Sequence, residues 1–160
     1  MSLIFAIDPG TSQSGWVLYD GTRVHDAGVA PNHDVLRWVQ AGQGADVLAI
    51  EMVASYGMPV GADVFRTVVW IGRFLQAWRE PEEVRLVVRQ DVKLHLCGQP
   101  RAKDGNVRQA LIDRFPATGG GKTPQIGTSK QPGPLHGVSS HAWSALAVAV
   151  TARHQLGGGA

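Results

Sequence analysis

Cysteine, charge and long apolar runs are all scarce in this chain, and each shortage narrows what the protein is. Cys97 is the single cysteine among 160 residues, so no intrachain disulfide forms and a zinc–cysteine cluster has no basis. No apolar run approaches the ~20 residues needed to span a bilayer. The opening Met1-Ser2-Leu3 has no basic stretch of the kind that starts a secretory signal. The expectation is a cytoplasmic protein with no membrane partner. There are no internal repeats. The composition, 44% hydrophobic and 18% charged, is that of one globular domain. That domain is expected over residues 1–156, with 157–160 as a flexible tail.

The net charge of +2 is unevenly spread. Residues 1–84 carry ten acidic and five basic side chains, a net −5. Residues 85–160 carry ten basic ones against Asp91, Asp104 and Asp113, a net +7. An acidic half beside a basic half suits a metal centre flanked by a phosphate-binding surface. Simple asymmetry of a small domain is the alternative.

Local pattern predicts strands at Leu3–Ile7, Trp16–Tyr19 and Thr22–Val29, the last two joined by the hairpin signal Asp20-Gly21. A short helix, Val35–Ala41, follows, with Asn32-His33-Asp34 as candidate caps. Val47–Ile50 reads as a buried strand. A loop at Ala54–Gly61 leads to a longer helix, Ala62–Arg79, whose Val64, Val68, Ile71, Leu75 and Trp78 recur at three and four. Val84–Val88 reads as a largely buried parallel strand. Helices are expected at Gln90–Leu96 and Asn106–Phe115, then a long loop over 116–138, functional or mobile, and a last helix from Ser139 or Ser140 to Arg153. The fold class is therefore α/β: a mixed sheet of three antiparallel strands followed by parallel ones, flanked by helices.

Two acidic residues stand out. Asp8 closes the apolar run Leu3-Ile4-Phe5-Ala6-Ile7, and Glu51 closes Val47-Leu48-Ala49-Ile50. A carboxylate at the end of a buried strand is costly unless paired or metal-bound. Taken singly, Asp8 before Pro9-Gly10 is an ordinary turn residue. Taken together, the two suggest a carboxylate site for divalent ions of the kind used in phosphodiester hydrolysis.

The element order, the segment Ile7-Asp8-Pro9-Gly10-Thr11 with Gly15, and the strand-ending Ala49-Ile50-Glu51 resemble the ribonuclease H-like nucleases. More narrowly, they resemble the RuvC Holliday junction resolvases and their bacteriophage-encoded relatives. Val88-Arg89-Gln90-Asp91-Val92-Lys93 resembles that family's strand-to-helix step. Lys103 through Phe115-Pro116 resembles its basic helix. His141-Ala142-Trp143-Ser144-Ala145-Leu146-Ala147-Val148-Ala149 resembles the opening of its last helix.

The resemblance implies a homodimeric endonuclease of a bacterial or phage-infected bacterial cell. It would cut branched DNA, the four-way junction foremost, with two divalent cations, Mg²⁺ or Mn²⁺. Carried over by position, the metal ligands are Asp8, Glu51, His141 and Ser144. His141 is an accepted variant, whereas Ser144 departs from the usual acid. Without the resemblance, His141 reads as a surface residue near a helix cap.

Asp104 reads first as a helix cap and second as a spare carboxylate ligand. Lys103 and Arg114 match basic positions that support catalysis and phosphate contact. Arg108, Lys122 and Lys130 extend the basic surface. Tyr56 is a candidate for stacking on an unpaired base, with Met58 and Phe65 as alternatives. Trp70, Phe74 and Trp78 give the long helix an aromatic side, either core or, as the two-fold junction favours, a dimer interface. Gly119-Gly120-Gly121-Lys122-Thr123 is not a P-loop, since it follows a helix and Pro116 occupies the first glycine position. No nucleotide cofactor is expected.

Rival readings are an actin-type ATPase, which needs two lobes that 160 residues cannot supply, a DNA-structure binder without activity, and a ribonuclease H acting on RNA–DNA hybrids.

Overall fold

The computed structural model describes residues 2–157; the expected tail lies outside them, apart from Gly157. The elements are β1 (Ile4–Asp8), β2 (Gln13–Tyr19), β3 (Val24–Pro31), α1 (Asn32–Ala41), β4 (Val47–Met52), α2 (Ala62–Ala77), β5 (Arg85–Val88), α3 (Arg89–Cys97), α4 (Asp104–Asp113) and α5 (Ala142–Gln155). One sheet runs in the order β3-β2-β1-β4-β5. β1 pairs antiparallel with β2, and β2 with β3, while β4 and β5 run parallel to β1 and to each other. This is the mixed sheet, three antiparallel strands followed by parallel ones, that the sequence predicts.

Alternation along the strands splits the core in two. Ile4 and Ala6 of β1, Val17 of β2 and Ala49 of β4 face one cluster, which is filled by α5 and the apolar sides of α3 and α4. Phe5, Ile7, Leu48 and Ile50 face the other, closed by α1 and α2. By the same alternation, Asp8 follows Ile4 and Ala6, and Glu51 follows Ala49, so both carboxylates project on the α5 side.

Helix α5 is apolar on every side, and all of Ala142–Arg153 except Ser144 is buried. Such a helix belongs inside, and α5 packs across β1, β2, β4 and β5 and against α3 and α4. Its small Ala145, Ala147, Ala149 and Ala152 let it lie close to the sheet. Among the described residues, no helix is long and apolar enough to cross a membrane.

Four expectations are corrected. Asn32 is not a cap: helix α1 has no side-chain cap, and the buried Asn32 side chain turns back toward residues 10–14. Strand β5 is not largely buried, because it lies at the sheet edge with Arg85 and Leu86 exposed. The aromatic side of α2 is not a free interface: Phe74 and Trp78 are core, and Trp70 packs edge-on against His33 of α1 at 5.0 Å. The exposed apolar residues of this helix are instead Phe65 and Val69. Finally, α5 starts at Ala142, after Ser140 has turned through a left-handed φ of 50°.

The loop over 116–138 is bonded to itself. Gly119 N–H donates to the Pro124 carbonyl, Gly133 N–H to that of Ile126 and Leu135 N–H to that of Gln125, while Leu135 is fully buried. Gly127 (φ 75°) allows a backbone approach in which an added Cβ would lie 2.3 Å from Gly133 N.

Candidate metal and nucleic-acid site

The last register pair between β1 and β4 is Ile7 with Ile50, so Asp8 and Glu51 come next, side by side, at the two strand ends. Two observations fix the loop that follows Asp8. Ser14 Oγ donates to Asn32 Oδ1 at 2.5 Å, and Asn32 Nδ2 donates to the Gly10 carbonyl at 2.9 Å. Gly10 N–H donates in turn to Ser14 Oγ at 3.2 Å. This buried pair of side chains ties β2 and α1 to the Asp8 turn. Gly15 pairs with Asp8 across β1 and β2. A Cβ there would stand 2.2 Å from the His141 carbonyl oxygen, so only glycine lets the start of α5 come down onto the carboxylates.

The carboxylates meet in a poorly solvated place. The side chains of Asp8 and Glu51 are only 13% and 17% exposed. Burial, and then the hydrogen bond and charge of Asp8, push the Glu51 carboxyl up to about 8, with Arg89 opposing. Burial also raises Asp8, against the favourable Glu51 bond, the Arg89 charge and the Ser144 hydroxyl. Two carboxyls crowded into this place hold a proton more readily, as a pair, than two free carboxyls do.

His141 Nδ1 lies 3.4 Å from Asp8 Oδ2, on a side chain that is 62% exposed. Glu51 Oε1 is buried without a hydrogen-bond partner. An orphaned carboxylate oxygen beside a proton-sharing acid is a donor set short of a cation, and it fits a divalent ion. Among the described residues, however, no three His, Cys, Asp or Glu side chains close around one point.

Arg89 is the residue that sequence reasoning missed here. It follows the end of β5, as Asp8 ends β1 and Glu51 lies next to the end of β4, and that similar strand-end position was the one signal of it. Its Nη1 stands 3.5 Å from Glu51 Oε1, and its Nη2 is bonded to Asp104. Asp104 thus reaches the site through Arg89, on a side chain that is 85% exposed.

Three clefts surround this centre. One of about 460 Å³ is lined by Arg89, Asp104, Arg108, His141 and Ser144, with the Arg108 guanidinium 4.8 Å from the Trp143 ring centre. A second, about 530 Å³ and mostly apolar, lies between Glu51 and Tyr56, Val60, Phe65 and Val68. A third, about 370 Å³, is basic, with Arg89, Lys93 and Arg101 beside Tyr56. Tyr56 is exposed, at a left-handed φ of 50°.

The other predicted basic residues lie further out. Lys103 is exposed just before α4 and does not line these clefts. Arg114 caps the far end of α4, about 15 Å along the helix at 1.5 Å per residue, where its Nη2 is 3.5 Å from His95 Nε2. Lys122 and Lys130 are exposed on the long loop.

The five-stranded mixed sheet with its flanking helices is a fold seen before. Two solved structures of Thermus thermophilus RuvC share it. The one in complex with a Holliday junction substrate is 19% identical and covers 99% of this chain and 98% of its own, with a TM-score of 0.67. The other is 20% identical, covers 97% and 96%, and has a TM-score of 0.64. No family model matches the sequence. No curated protein matches it either.

Proposed function

We propose that this protein is a metal-dependent endonuclease for branched DNA, a four-way junction being its substrate class. The observation that carries the reading is the Asp8–Glu51 pair. It is buried, proton-sharing and short of a cation, at adjacent strand ends of a fold found also in a protein solved on a Holliday junction. Divalent ions held there, Mg²⁺ or Mn²⁺, would supply an activated water and stabilisation of the leaving oxygen.

The chain's own residues do the rest. Asp8 and Glu51 would hold the metal through their carboxylates, His141, 3.4 Å from Asp8, would be the third ligand, and Ser144 would support Asp8 by hydrogen bonding. Two ions are the expected number, and the position at His141 and Ser144 is the less negatively charged of the two. Arg108 on Trp143, and Lys93 with Arg101, are the nearest phosphate contacts; Lys103, Arg114, Lys122 and Lys130 extend the basic surface outward. Tyr56 and Phe65 border an apolar cleft of a size suited to an unpaired base. The exposed Phe65 and Val69 of α2 make that helix the best-supported surface for a homodimer.

The test is to incubate the protein with a four-way junction, a linear duplex and an RNA–DNA hybrid in Mg²⁺ or Mn²⁺. Paired nicks in the junction are expected, abolished in Asp8→Asn and Glu51→Gln while junction binding in Ca²⁺ persists. Nicking of the hybrid alone would make it a ribonuclease H. A second reading, a DNA-structure binder without activity, is favoured by Ser144 and by the absence of three clustered ligands among the described residues. Tight junction binding with no nicking in either metal would select it.

A further inference from the structure

Arg89 stands where the three clefts meet. Its contact with Glu51 is unusual. Nη1 and Oε1 lie 3.5 Å apart, and each is buried with no hydrogen-bond partner. A guanidinium and a carboxylate ordinarily close into two parallel hydrogen bonds. Here the two groups face each other without that bond, while the opposite edge of the guanidinium is bonded to Asp104 near solvent. The pair therefore balances charge without locking the carboxylate. A guanidinium carries one diffuse, weakly hydrated charge. A divalent ion brings twice the charge in a smaller volume and bonds directly to oxygen. Between these two, Glu51 Oε1 favours the metal.

We propose that Arg89 is a displaceable counter-ion of the Asp8–Glu51 pair. A divalent cation takes its place at Glu51. The released guanidinium, still held by Asp104, then faces the cleft mouth as a contact for a nucleic-acid phosphate. The exchange builds the cationic side of the substrate site only once metal is bound, which couples metal loading to strand binding. This inference rests on the reading of Asp8 and Glu51 as metal ligands.

The experiment is a Mn²⁺ titration of the full chain at fixed pH, followed by the spectroscopic signal of free Mn²⁺. Junction affinity is measured separately in Ca²⁺. Arg89→Gln should bind Mn²⁺ about tenfold more tightly, the competing charge being gone, and should bind the junction more weakly. Arg89→Lys should fall between it and wild type. A Mn²⁺ affinity within about twofold of wild type in a folded Arg89→Gln overturns the proposal.

Asp104→Asn, at an exposed position that does not threaten folding, gives an independent arm. Without its outer partner, Arg89 sits more firmly on Glu51, so Mn²⁺ binding should weaken. That effect should vanish in the Arg89→Gln background. Equal weakening in both backgrounds makes Asp104 a ligand in its own right and sinks the counter-ion role. Asp8→Asn and Glu51→Gln separate the two levels. If neither lowers Mn²⁺ binding, the metal reading itself fails. If both lower it while Arg89→Gln changes nothing, only the counter-ion fails.

Discussion

A single proton carries much of the physics at the residue scale. Glu51 is pushed up to about 8 in the fold, chiefly by burial and then by Asp8, from an ordinary value of 4.5. Below the unfolded value, both folded and unfolded chains hold that proton. Between the two values only the folded chain does, so stability is lost as pH rises through this window, by at most about 1.4 kcal/mol per pH unit. Glu51→Gln should remove that slope, which urea unfolding at pH 5, 7 and 8 would reveal; equal slopes in both proteins would show that the proton is not there. The two acids were legible in the sequence because each ends an apolar run. Arg89 was not, since its partners Glu51 and Asp104 are far from it along the chain and only the fold joins them. Asn32 was misread for a related reason: a local cap is the commonest use of asparagine before a helix, and its real partners, Ser14 and Gly10, belong to another turn.

Among the elements, local sequence pattern located every β-strand and α-helix of the described residues, with ends displaced by a few residues, but not the short 3-10 helix at Pro81–Glu83. It could not say which side of α2 meets α1. Trp70, Phe74 and Trp78 read in the sequence as core or as a dimer face, and in the fold Phe74 and Trp78 join the core cluster between sheet and helices while Trp70 meets His33 of α1. The stripe left in solvent is Phe65 and Val69, one helical turn apart. If α2 forms the two-fold contact, Phe65→Ser with Val69→Ser should convert a dimer into a monomer of 17.1 kDa by light scattering, with the melting temperature of the chain little changed. A persistent dimer would move the interface off this helix. The edge position of β5 was equally hidden, because Val-rich sequence does not reveal how many neighbours a strand has.

Over the whole molecule, the basic half of the sequence supplies side chains to the clefts around the two carboxylates. The basic side chains that line the clefts beside Asp8 and Glu51 are Arg89, Lys93, Arg101 and Arg108, whereas Arg114 faces His95 at the other end of α4. Junction affinity should fall steeply with salt. Replacing Lys93 and Arg101 with glutamine should flatten that dependence, by about 0.9 in logarithmic slope for each duplex phosphate no longer neutralised. Arg114→Gln should leave the slope nearly unchanged. The opposite ranking would place the DNA path along the far end of α4.

The burial of α5 bears on how such a site can change over generations. Ala145, Ala147, Ala149 and Ala152 are fully enclosed, so drift there must disturb the core. His141 and Ser144, at the start of the same helix and facing the same carboxylates, are outside that constraint: one is largely exposed and the other half-buried. Single replacements at these two positions alter the donor atoms offered to a metal without repacking anything. On the proposed reading, metal preference would be set by two residues outside the packed part of α5, open to single replacements while the helix itself stays in place.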